Sequence, residues 1–178
     1  MVKKTKAQVW IETAIYTLIG LVIIAILLAS ATPQIEKIKD KSIISQTRDA
    51  LLILDSKISE VEQAAGSSRE IKFTVAKGKI NINAEEDLIE YVLEDTRLEL
   101  SEIGEPIKEG EIYILTKQRG SKFDIYLTLN YTGKVDITFD NKEKTEVLQA
   151  GTTPYRIVVE NIGDNLPTEN THIDFSLL

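Results

Sequence analysis

The hydrophobic pattern changes character three times along the chain. From Thr13 to Ile35 there is no charged residue, and Leu18 to Ala31 is almost wholly apolar. An uncharged stretch of 23 residues reaches about 35 Å as a helix at 1.5 Å per residue. That matches the hydrocarbon core of a bilayer, about 30 Å thick. The stretch has no polar face, as the buried helix of a soluble protein usually does. Ala29-Ser30-Ala31 resembles the cleavage site of a secretory signal, but the apolar run is longer than a signal core. The pattern predicts a retained membrane span.

Beyond Pro33 an apolar register resumes at Ile44, Thr47, Leu51, Leu54, Ile58, Val61 and Ala65. Alternating steps of three and four define a narrow helical seam, with Arg48, Asp49, Asp55, Lys57, Glu60 and Glu62 off it. Gly66-Ser67-Ser68 ends the helix. A helix from Gln8 to Ala65 would be about 87 Å long, with Pro33 able to kink it. Such a seam needs a partner, either its own head or other copies.

After Gly66 the period falls to two. Ile71, Phe73 and Val75 alternate with polar residues, Lys77-Gly78 makes a turn, and Ile80 and Ile82 resume the alternation. This predicts a hairpin. Further strands are expected at Ile112 to Leu115, Phe123 to Tyr131, Val135 to Phe139, Tyr155 to Glu160 and His172 to Leu177. Between 83 and 104 two readings compete. Asn83 with Glu86 fits a helix-capping box, while Tyr91 and Leu98 to Leu100 fit strands, and strand is favoured. The fold class is therefore α+β, a long N-terminal α-helix followed by an antiparallel β-sandwich-like head.

Composition narrows the function. The 178 residues carry 21 Lys+Arg against 28 Asp+Glu, a formal charge of −7. With no basic run longer than two, no nucleic-acid partner is expected. The absence of cysteine excludes disulfides and thiolate metal sites. The one histidine, His172, sits in an alternating run and reads as an ordinary strand residue. Glu85, Glu86 and Asp87 read as a solvated acidic patch, and Asp164-Asn165 as a loop turn rather than a calcium site. No glycine loop of the phosphate-binding kind follows a strand. No cofactor, no metal and no enzymatic activity are expected. Asn130-Tyr131-Thr132 is an N-glycosylation sequon, relevant on an exterior face.

The chemistry-bearing segment is the start: Lys3-Lys4-Thr5-Lys6-Ala7, then Gln8-Val9-Trp10-Ile11-Glu12, then the span. A carboxylate at the mouth of a membrane helix has two readings. It is a functional group, or an interface residue complementing the helix dipole beside a belt tryptophan. Lys3, Lys4 and Lys6 before the span balance Lys37, Lys39 and Lys41 after it, so flanking charge does not orient it. The bulk of the chain is placed outside because large domains translocate regardless.

These residues resemble the class III signal peptide of archaeal type IV pilin-like proteins and archaellins: a short basic leader ending in a small residue, then Gln, then Glu four positions on, then a hydrophobic helix. The sequence departs from the pattern at Ala7, where glycine is commoner, and at Trp10, where serine is frequent. The resemblance covers about 60 residues. It implies cleavage of the Ala7–Gln8 bond by a prepilin peptidase on the cytoplasmic face, with the apolar helix retained. It divides the chain into a basic leader (1–7), a transmembrane or filament-core helix (8–33), an amphipathic stalk (34–66) and an extracellular β-rich head (67–178). It implies a structural subunit, made as a single-span membrane precursor surrounded by lipid and then assembled with other copies into a helical surface filament. An assembly ATPase and a membrane platform protein would drive assembly. The new ammonium at Gln8 would pair with Glu12 of a neighbour, because an unpaired charge in an apolar bundle is costly. The alternative is a monomeric or dimeric single-span anchored surface protein whose β head binds a ligand.

Overall fold

A computed structural model describes residues 3–163 and 170–178, with side chains from Val9 onward. The Asp164-Asn165 turn lies outside the described residues. The chain divides into two compact units, Met1–Lys39 and Asp40–Leu178. Helix α1, Lys3–Glu62, is assigned without interruption through Pro33. Proline has no N–H to give the Ala29 carbonyl. In the first unit, hydroxyls bond back to the helix: Thr13 Oγ1 to the Val9 carbonyl (2.9 Å), Thr17 Oγ1 to Thr13 (2.9 Å) and Thr32 Oγ1 to Leu28 (2.8 Å). These three hydroxyls are thereby satisfied within their own helix.

In the second unit α1 is one wall of a β-rich core. The strands are β1 (Ser68–Phe73), β2 (Lys79–Asn83), β3 (Leu88–Thr96), β4 (Ile107–Glu109), β5 (Ile112–Arg119), β6 (Lys122–Asn130), β7 (Val135–Phe139), β8 (Thr145–Gln149), β9 (Tyr155–Gly163) and β10 (Thr171–Leu177). They form a four-stranded sheet, β1-β9-β10-β7, and a six-stranded sheet, β4-β5-β6-β3-β2-β8. All strand pairs are antiparallel except β10 with β7. The sandwich-like α+β head is thus present.

The seam is filled by its own head. Leu51, Leu54, Ile58 and Val61 are buried in one cluster with Phe73, Ile80, Tyr91, Ile125, Ile157 and Phe175 from both sheets. Each aliphatic side chain so buried contributes about 1.5–3 kcal/mol. The helix stops at Glu62, a turn before Ala65, because the head takes over its last carbonyls. Asn161 Nδ2 donates to the Val61 (3.0 Å) and Glu62 (3.1 Å) carbonyls, and Ser67 Oγ also reaches Val61 (2.9 Å). These are groups a helix end otherwise leaves unpaired.

The predicted β1–β2 hairpin is a correction. β1 pairs with β9, whereas β2 pairs with β3 and β8. The Lys77-Gly78 turn is real but carries the chain from one sheet to the other. Gly78 has φ 80°, and a Cβ there would overlap the Val92 carbonyl oxygen. Tyr91 Oη donates to the Lys77 carbonyl at 2.7 Å and pins the crossing. Period-two alternation says which face is buried, and both sheets bury a face in the same core. The segment 83–104 contains strand β3. Asn83 Oδ1 accepts from the Glu85 amide (3.1 Å) in the β2–β3 turn, with Asp87 at φ 55°, so that motif caps no helix.

Candidate functional site

Two regions of the chain hold unusual chemistry. The first is the N-terminal helix. α1 begins at Lys3, so the Ala7–Gln8 bond lies in helical backbone. Glu12 is exposed. From Val9 to Leu28 the large apolar side chains are exposed on every side, from 48 % at Ile19 to 76 % at Trp10. Among the described residues, one helix is long and apolar enough to cross a membrane. Apolar surface on this scale is not left in water; it is covered by lipid or by apolar protein.

The second region is the head, where the polar groups are organised around structure. Thr138 (β7), His172 and Asp174 (β10) are all buried. Thr138 Oγ1 donates to Asp174 Oδ1 at 2.7 Å and lies 2.8 Å from His172 Nε2. A hydroxyl has a single hydrogen. With that hydrogen given to Asp174, His172 Nε2 is the donor to Thr138. The trio therefore ties β7 to β10 and does not present a hydroxyl to a base. Among the described residues, no three His, Asp or Glu side chains converge as a metal site would require.

Asn130, at the end of β6, is exposed. Its Oδ1 accepts from the Thr132 amide at 2.9 Å, and Thr132 Oγ1 donates to the Glu86 carbonyl at 2.9 Å. Beside it, Tyr131 is buried and its hydroxyl donates to Asp55 of α1 at 2.8 Å. Burial, and next the Asp55 carboxylate, push the Tyr131 phenol far above the usual tyrosine range. Burial likewise pushes Tyr91 up to about 12.

Sequence reasoning missed Asp40. It lies four residues before Ile44, so it continues the seam. It is only 5 % exposed. Its carboxylate accepts from Lys77 Nζ (2.6 Å) and Thr96 Oγ1 (2.7 Å). A buried carboxylate needs such partners. The signal was its register: the spacing marks the position as inward-facing although the residue is charged.

Two clefts flank α1, one toward the end of β6 and the start of β7, the other toward β4 and β5. One, of about 340 Å³, includes Asp55, Glu62, Glu111 and Tyr131. The other, of about 230 Å³, has an apolar floor of Ile44, Leu100, Ile107 and Ile114 with Lys41 and Arg48 on its rim. Arg48 Nη1 is ion-paired with Glu109 at 2.5 Å. No protein-family model, curated protein or solved structure matches the chain.

Proposed function

We propose that the chain is a pilin-like structural subunit of an archaeal type IV pilus-like surface filament. It is inserted as a single-span precursor, N-terminus in the cytoplasm and head outside. A prepilin peptidase cuts between Ala7 and Gln8. The observation that carries this reading is a helix apolar and exposed all round, placed directly after the Lys6-Ala7-Gln8 and Glu12 pattern. Lipid covers that helix in the precursor, and helices of other copies cover it in the filament. Since lipid is as apolar as leucine, the drive is close packing and charge pairing rather than hydrophobicity. Glu12 supplies the charge for the Gln8 ammonium of a neighbour. Energy for assembly comes from a cytoplasmic ATPase acting through a membrane platform protein.

The second reading is a solitary anchored surface protein, monomeric or dimeric. The head fills the seam, which removes the surface a coiled-coil dimer through that seam would use and leaves the monomeric form as the competitor. N-terminal sequencing of protein taken from cells separates the readings. Gln8 as the first residue is expected. A chain beginning at Met1, or near Thr32, would overturn the proposal.

A further inference from the structure

The 230 Å³ cleft beside α1 and a knob on the outer face of the same helix are complementary. The cleft is larger than the ~150 Å³ apolar cavity that accepts a benzene, so a branched aliphatic side chain fits. Its rim carries Lys41, Arg48 and Glu109. Arg48 and Glu109 pair with each other, so Lys41 is the rim charge whose partner is not in the cleft, and Arg48 Nε is buried without a hydrogen-bond partner, 3.9 Å from Asp49 of its own chain. A buried donor lacking an acceptor calls for explanation. Cleft and rim together ask for an aliphatic side chain next to a carboxylate.

The chain carries that combination. Asp49, Leu52, Ile53 and Ser56 follow one another at helical spacing. Leu52 is 39 % and Ile53 57 % exposed, and the Asp49 side chain is 64 % exposed. Leu52 and Ile53 are large apolar residues on the face of α1 turned away from the core.

We infer that Leu52 and Ile53 of one copy seat in the Ile44–Leu100–Ile107–Ile114 cleft of the next copy, with Asp49 facing Lys41 across the rim. Because cleft and knob are different surfaces, the contact is head-to-tail. Such a contact does not close on itself as a two-fold dimer does, and it propagates as an open helical array. Ser45 at the cleft and Leu52 on the knob are two helical turns apart, so parallel copies would be offset by about 10 Å along the helix. The inference rests on the filament reading and adds to it a head-to-tail contact between neighbouring copies outside the apolar helix.

The chain has no cysteine, so introduced thiols report cleanly. The test uses Ser45→Cys/Leu52→Cys in the full chain in cells, with sheared filaments mildly oxidised and run on a non-reducing gel. Within one helix these positions stand about 10 Å apart, beyond the ~7 Å Cα separation a disulfide spans; any bond is therefore between copies. The expected result is a ladder of dimers, trimers and higher species from the double variant, with only monomer from each single variant. Filaments present in normal amount but giving only monomer would overturn the contact. So would dimers from either single variant, which mean a two-fold interface. An empty shear fraction from unaltered cells overturns the filament reading instead, which distinguishes the two failures. A charge exchange guards against an assembly defect from the thiols. Lys41→Asp or Asp49→Lys alone should lower sheared filament about tenfold, as expected for a rim charge made repulsive. The double exchange should restore it, and failure to restore it overturns the pairing.

Discussion

Replacing Asp40 by alanine tests whether the head holds the first buried turn of α1 by a polar clasp. The carboxylate accepts from Lys77 and from Thr96. Thr96 is 1 % exposed, so its hydroxyl is stranded when Asp40 is removed, at a cost of about 1–3 kcal/mol. The Lys77 side chain is 44 % exposed and returns to water, so the 3–5 kcal/mol of a stranded buried charge does not apply. Losing its charge-assisted bond adds about 1 kcal/mol, discounted from ~1.5–3 for that exposure. The sum is about 3 kcal/mol, or roughly 6–12 °C in Tm for a domain of this size. Asp40→Asn retains an acceptor for Thr96 and should lose only about 1 kcal/mol. The assay is urea unfolding of a soluble fragment beginning at Gln34, followed by circular dichroism. Thr96 Oγ1 also accepts from the Leu98 amide at 3.2 Å, so Thr96→Val in the Asp40→Ala background removes one unpaired group and creates another, and should change stability by less than about 1 kcal/mol. An Asp40→Ala head as stable as the parent, within about 0.5 kcal/mol, would refute the clasp.

Glu12→Gln should be made, inserted and cut after Ala7, yet be depleted from sheared filaments by two to three decades, the equivalent of about 3–5 kcal/mol for a broken buried pair. Normal incorporation would leave Glu12 an interface residue worth about 0.3–1 kcal/mol. The head should also weaken in alkali. Tyr91 and Tyr131 have folded pKa values raised above the ordinary tyrosine value. Their contribution is full below about pH 10 and is lost above it as the unfolded chain ionises first. Urea midpoints between pH 8 and 12 should fall above pH 10, and Tyr131→Phe should flatten that fall.

Local pattern was enough to read α1, because a long uncharged run and a seam of seven positions repeat the same signal many times. The strands with clean alternation, β5, β6, β7, β9 and β10, were legible for the same reason. The partner of each strand was not. Ile71 and Phe73 look like Ile80 and Ile82 in sequence, yet they belong to different sheets, because alternation encodes a face and carries no address. Edge strands escaped too. β4 has three exposed residues and β8 buries only Leu148, so neither had a pattern to read. Asp40 was missed because the seam was traced through uncharged residues alone. The cleft beside α1 was invisible in the sequence, since its walls come from residues 41–48, 100 and 107–114, which only the fold brings together.

The order of strands in the smaller sheet bears on the order in which the head can fold. β9 and β10 lie between β1 and β7, so the sheet has nothing to grow on until the last strands of the chain arrive. The helix terminus is in the same position, since Asn161 caps carbonyls about a hundred residues earlier in the chain. Until β9 and β10 are in place, the seam therefore has only the six-stranded sheet to pack against, and the helix end is unfinished. Both are completed together, late, by non-local pairing of the kind that closes slowly.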